Sequence, residues 1–283
     1  MSQELAPTYL SHSNSRRRAG FGEALRQTAH DLASNRWYVV QTFRRDFASQ
    51  TSFTRGGAFW NYVLPLVPVG AYVLLMAMRL FPSFGAVNGV VYITMGVTLW
   101  FLFAGLVRAP ITLLEKQFTA LAKSNTPIIP AIVASIAQLA FETLLRLGLV
   151  IVVFAVFQGV PSWRVIFAVP MIAVACLLFF SIGLVLGLFN LAYRDLSKIV
   201  GIFLTYGLFF SGVIFPMGSG AIITRILAFN PFYVFIENIR RCSVGEPVIY
   251  LWSIAAFAVA AVVIFLIAIR FAYRAELRLR GWV

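Results

Sequence analysis

The chain has 283 residues, of which 60% are hydrophobic and 12% charged, and 27 are Phe. A soluble core of this length has no room for so much apolar surface, so the solvent is lipid. The apolar residues come in long blocks rather than alternating patterns, which argues for membrane helices over an outer-membrane barrel. The net charge of +13 sits mostly beside those blocks, where it orients the chain and does not call for nucleic acid.

Residues 1–20 are polar and rich in Ser and Arg, and are expected to be a disordered cytoplasmic tail. They lack the apolar core of about 7–15 residues that a cleavable leader carries. From Glu23 to Gln50, the residues Leu25, Ala29, Leu32, Val40, Phe43 and Phe47 recur at helical steps, with a lapse at Arg36. The pattern predicts an amphipathic interface helix over residues 21–55, with Trp37 and Tyr38 at headgroup level. Such a helix is either a plain anchor or a docking surface for a cytoplasmic partner. Arg16, Arg17, Arg18, Arg44, Arg45 and Arg55 either attract the phosphate of a lipid headgroup or simply set topology.

Residues 56–283 read as a six-span domain, with spans near Trp60–Phe81, Val87–Val107, Ala131–Phe157, Val165–Leu191, Ile199–Phe215 and Ile249–Ala272. Most are close to the roughly 20 residues that a crossing needs. The first span opens with Phe59, Trp60 and Tyr62 and contains Tyr72. The second connection, about residues 113–127, is amphipathic and predicts a short cytoplasmic helix. Its Phe118 and Leu121 are spaced to enter a partner's groove, flanked by the charges of Glu115, Lys116 and Lys123. In the third span Gln138, Glu142 and Arg146 recur every four residues, the ordering of a favourable helical ion pair. The pair is either structural, facing other helices, or serves as a proton relay or substrate contact. Phe203, Tyr206 and Phe210 form a stripe on the fifth span. That stripe either packs against helices and lipid or offers flat aromatic faces to a passing sugar.

Beyond Phe215 the chain stays apolar but breaks at Pro216 and again at Asn230-Pro231. A proline at the centre of a seventh span would remove a backbone donor and clash with the preceding turn. Two half-helices, about Ala221–Phe229 and Phe232–Arg241, in an external re-entrant region near residues 216–245, avoid that. Lys and Arg agree: eight before the first span, three in the second connection, two in the fourth and four in the tail give seventeen on one side, against five on the other. The basic side is cytoplasmic, which places both termini inside. The chain has no P-loop, HExxH, CxxC or GxSxG, and its two Cys and two His are not spaced for a metal site.

Several stretches together carry a resemblance: "VVQTFRRDFASQTSF", "FWNYVLPL", "ALAKSNTPIIPAIVASI", "YRDLSKIVGI" and "SGVIFPMGS…LAFNPFYVFIENIRRCSVGEP". In order and spacing over Glu23–Val283 the chain resembles the membrane subunit of bacterial ABC exporters for polysaccharides such as O-antigen, capsule and teichoic acid. It departs from them in its long arginine-rich N-terminus and in "TRGGAFW", where a Leu-Gly step usually precedes the Trp. The resemblance implies an all-α membrane protein with six transmembrane helices per protomer and a re-entrant half-helix pair before the last span. It implies a homodimer in the bacterial cytoplasmic (inner) membrane, bound to two copies of a separate ATPase that carries ATP and Mg, and no cofactor on this chain. The cargo would be a lipid-linked glycan. The resemblance assigns Phe59, Trp60, Tyr62, Tyr72, Phe203, Tyr206 and Phe210 to a channel, Pro216, Asn230, Pro231, Glu237 and Arg240 to a gate, and Glu115, Lys116, Phe118, Leu121 and Lys123 to ATPase coupling. Readings that stay open are an ABC permease for drugs or other lipids, a secondary carrier using Glu142 and Arg146, and a transferase relying on Glu237 and Glu246.

Overall fold

The computed structural model describes residues 20–52, 86–123, 128–217 and 220–280, together with Gly70 and Leu74. Apart from Gly70 and Leu74, the expected first span, with Phe59, Trp60, Tyr62 and Tyr72, lies outside the described residues, as do residues 1–19 and Arg55. Among the described residues there are nine α-helices and no strand. They are α1 (Phe21–Ser34), α2 (Arg36–Ser52), α3 (Gly89–Lys123), α4 (Ile128–Phe157), α5 (Ala168–Asn190), α6 (Leu196–Phe210), α7 (Ala221–Ala228), α8 (Pro231–Val244) and α9 (Leu251–Arg280). Four of them, α3, α4, α5 with the short 3-10 turn before it, and α9, are long and apolar enough to cross a membrane.

The N-terminal helix is two helices. Asn35 turns its amide onto the Asp31 carbonyl at 2.7 Å and its own N–H onto the same oxygen, which stops α1 one residue before the lapse at Arg36. Ala24 of α1 is fully buried in a cluster that includes Ile128 and Ile132 of α4 and Ile269 and Tyr273 of α9, and α1 packs on α9 and α4. Phe43 and Phe47 of α2 pack on Phe141 of α4, with centroids at 6.0 and 5.2 Å.

The second span and the second connection are also not separate. The chain keeps one helix from Gly89 to Lys123, through Pro110. Proline leaves the Leu106 carbonyl without its helical donor, which normally kinks or ends a helix. Here α5 comes in close. A Cβ at Gly183 would lie 2.6 Å from the Leu106 carbonyl oxygen, and one at Gly187 would lie 3.1 Å from that of Pro110. Two glycines one turn apart thus let backbone meet backbone, the arrangement that drives helix association where lipid removes the hydrophobic incentive. With Ile111 and Leu114 buried in the same contact, packing holds the turn helical.

The helix ends are tied across the bundle. Asn88 caps α3, its Oδ1 accepting from the Val90 N–H at 3.0 Å. Gln158, just past α4, accepts from the Asn88 N–H at 2.7 Å and donates to the Ala86 carbonyl at 2.9 Å. At the opposite end, buried Asn190 accepts from the Ser197 N–H at 2.9 Å and sets the start of α6. α3 is the buried centre, and Phe103 stacks on Phe179 of α5 at 5.0 Å.

Candidate functional site: an aromatic groove beside a broken helix pair

α6 ends at Phe210, five residues short of the expected Phe215, and Pro216 plays no part in stopping it. The cause is a set of donors brought from elsewhere. Gly212 takes a φ of +60°, which a side chain would resist, and a Cβ there would also meet the Tyr233 ring at 2.8 Å. Arg240 of α8 donates from Nη1 to the Gly212 carbonyl at 2.7 Å and from Nη2 to the Val213 carbonyl at 2.8 Å. The Tyr92 hydroxyl of α3 donates to the same Gly212 carbonyl at 2.9 Å. Arg240 is 1% exposed, its guanidinium lies 3.5 Å from the Tyr92 ring centroid, and Glu237 reaches it only at 3.5 Å. Gly96 makes the space, since a Cβ there would fall on the guanidinium.

Asn230-Pro231 is the start of α8. Asn230 accepts from the Tyr233 N–H at 3.3 Å as N-cap, and Pro231 occupies the first turn, where no N–H is needed. The Asn230 amide also donates to the Phe210 carbonyl at 3.3 Å and to Ser211 Oγ at 3.1 Å. One side chain therefore starts α8 and closes α6. α7 and α8 bend by 96° across this point. α8 then runs into the bundle with Val234, Phe235 and Ile236 fully buried. It ends in a left-handed Gly245, with Glu246 N–H on the Arg241 carbonyl at 2.9 Å. Arg164 from the α4–α5 connection holds the Gly245 carbonyl at 2.8 Å, and buried Asn238 holds the Ile249 N–H at 2.7 Å.

These contacts shape a groove of about 850 Å³ between α3, α5, α6 and the α7–α8 corner. Its floor is Trp100, Phe179 and Phe232, all buried, with centroids at 4.5 Å (Trp100–Phe232) and 4.1 Å (Phe179–Phe232). α6 lies close because Gly207 sits on the Trp100 ring. The wall is Phe203, Tyr206 and Phe210, which are 65%, 61% and 73% exposed, so the stripe is not consumed by packing within the chain. Phe229, Asn230 and Pro231 complete one end, and Val107 and Ile199 line the groove further along. Among the described residues, the lining has no carboxylate, imidazole or thiol. Its polar groups, Tyr206, Ser211 and Asn230, can hydrogen-bond a solute.

The groove thus brings together Phe203, Tyr206 and Phe210, which the resemblance assigns to a channel, and Asn230 and Pro231, which it assigns to a gate. Pro216, Glu237 and Arg240 do not line it. Glu115 and Lys116 are exposed on the last third of α3, and Phe118, Leu121 and Lys123 follow on the same helix. Arg44 and Arg45 are exposed on α2. Gln138, Glu142 and Arg146 form a chain on α4, with 3.2 Å from Gln138 to Glu142 and 3.6 Å from Glu142 to Arg146. Arg146 also lies 5.0 Å from the Phe101 centroid. Sequence reasoning missed the floor residues, because they come from three helices and share no spacing. It also missed Tyr92 and Gly212, whose roles arise only once α3 and α6 are side by side.

Four helices long and apolar enough to cross a membrane fit a multi-pass membrane protein. Residues 28–242 match the family described as ABC-2 type transporter, a stretch that includes every groove residue and Arg240. The chain belongs to that family. Nodulation protein J of Rhizobium meliloti (strain 1021) is 26% identical over 239 residues, covering 77% of this chain and 86% of its own length.

Proposed function

We propose that the chain is the permease subunit of an ATP-driven exporter that moves a lipid-linked polysaccharide outward across the bacterial inner membrane. The observation that carries this reading is the exposed aromatic wall Phe203, Tyr206 and Phe210 facing the Asn230–Pro231 corner in one groove. Ring C–H groups of sugars slide over aromatic faces without binding one tightly, and the polar tips of Tyr206 and Asn230 offer transient hydrogen bonds. Two copies of the chain would bring two such walls together, and the expected first span would add Phe59, Trp60, Tyr62 and Tyr72. Both termini would be cytoplasmic, and the α7–α8 pair would dip in from outside as the gate. ATP and Mg would bind two copies of a separate ATPase, with Glu115, Lys116, Phe118, Leu121 and Lys123 as the coupling surface.

Tyr206→Ala with Phe210→Ala tests the groove. Each lost aromatic contact is worth about 0.5–1.5 kcal/mol, so export should slow about two- to tenfold per residue while ATPase binding persists. Unchanged surface glycan in the double variant overturns the sugar path. Phe118→Asp with Leu121→Asp should abolish ATPase copurification, and retained association removes that surface from the reading. A second reading, transport of an apolar lipid or drug, is favoured by the small number of polar groups in the groove. It predicts that the same double variant alters efflux of a hydrophobic dye instead.

A further inference from the structure

Residues 158–167, which join α4 to α5, carry a single charge, Arg164. A connection lying in water would turn polar groups outward. This one turns out Val160, Trp163 and Ile166, which are 93%, 72% and 64% exposed. Leu251 and Trp252 at the start of α9 are exposed as well. The one charge is drawn inward: Arg164 Nη1 donates to the Gly245 carbonyl at 2.8 Å. The Ser162 N–H donates to the Ser243 carbonyl at 2.9 Å. The connection is therefore pinned to the end of α8, and its outer side is left apolar.

Two helices measure where this patch lies. α5 and α9 run side by side in the same direction, with Phe180 on Phe265 at 6.4 Å and Phe189 on Phe271 at 5.6 Å. Going back from the Phe189–Phe271 contact, the start of α5 at Ala168 is about 32 Å away along its helix. Trp252 is about 29 Å away along α9. The turn that carries Trp163 leads straight into Ala168, so it and the start of α9 share a level. At the other end Arg270 and Arg274 flank Phe271, and Arg194 and Lys198 follow Phe189. Tryptophan at one level and arginine at another, separated by roughly the 30 Å of a hydrocarbon core, match the two headgroup levels of one bilayer. The exposed apolar surface continues below the patch in Val169 of α5 and in Val259 and Val262 of α9, where the surrounding solvent is lipid.

We infer that residues 158–167 and the start of α9 form a membrane-docking surface in the leaflet opposite the basic tail. Trp163 and Trp252 sit at its headgroup level, and Val160 and Ile166 enter the acyl boundary. Because Ser162 and Arg164 tie this turn to Ser243 and Gly245, the lipid also sets the height of α8. The surface does not depend on which cargo the chain carries.

The test uses the full-length chain in phosphatidylcholine vesicles. On a background of Cys176→Ser with Cys242→Ser, nitroxide labels are placed by Val160→Cys, Ile166→Cys, Trp252→Cys or Val259→Cys. Their depth is read from collisions with oxygen and with a water-soluble nickel chelate. The first three labels should lie within about 5 Å of the phosphate level. The Val259 label should lie about 10 Å deeper, two turns further along α9. Labels at positions 160 and 166 as open to nickel as a free nitroxide would put the patch in water and overturn the inference. Labels shielded from both collision partners would put protein there, a second copy or another subunit, and overturn it equally. If the background replacements prevent folding, the native tryptophans serve instead. Phosphatidylcholine brominated near the ester end of its chains should quench part of their fluorescence, and Trp163→Phe with Trp252→Phe should lower the quenched fraction. An unchanged quenched fraction overturns the inference.

Discussion

Arg240 gives its guanidinium to two backbone carbonyls and an aromatic face, with a carboxylate only at the margin. Removing such a group leaves the Val213 carbonyl without its side-chain donor, the Gly212 carbonyl with Tyr92 alone, and an empty volume, with about 1–3 kcal/mol lost for each buried group left unsatisfied. Arg240→Met should therefore lower the unfolding midpoint of the detergent-purified chain strongly, and Arg240→Lys less, because an ammonium keeps the charge and can still donate to a carbonyl, though without the guanidinium's fixed fork. Asn230→Ala should cost about 1 kcal/mol for the lost N-cap, with a further loss at the end of α6. Asn230→Asp separates the two roles, since it keeps the acceptor for α8 and removes the donor to Phe210 and Ser211. The break at Asn230-Pro231 was legible in the sequence, because cap and proline act on their own turn. The role of Arg240 was not. Its partners are carbonyls 27 and 28 residues away, and every residue carries a carbonyl.

At the level of elements, the long apolar blocks and the four-residue spacing of Gln138, Glu142 and Arg146 read directly off the chain, and both appear in α4. Boundaries set by tertiary contact did not. Pro110 looks like the end of a span until Gly183 and Gly187 are seen against it. Gly183→Leu should prevent α3 and α5 from closing and give little folded protein in the membrane fraction. Gly201→Ala is the matched control: a Cβ there meets nothing within 4 Å, so helix propensity alone should leave stability equal or slightly higher. Loss of folding in Gly201→Ala, or normal yield of Gly183→Leu, would contradict the packing described.

For the whole molecule, composition gave the solvent and the class, whereas the groove was hidden because its floor and wall come from four helices. Arginine placement gave an orientation that a single experiment checks. In a chain with Cys176 and Cys242 replaced by Ser, Arg278→Cys near the end of α9 should react with a membrane-impermeant maleimide only after the cytoplasmic face is opened. Labelling of intact cells would place the tail outside and remove the six-span arrangement.

The unbroken course of α3 has a mechanical consequence. Its 35 residues make about 52 Å of helix, well beyond the roughly 30 Å of hydrocarbon. If its first residues lie at the outer boundary, the remainder projects into the cytoplasm as an arm rigidly joined to the Trp100 floor. A push of a few ångströms at the Lys123 tip would then reach the groove as a tilt about the Gly183–Gly187 contact, with no hinge between to absorb it.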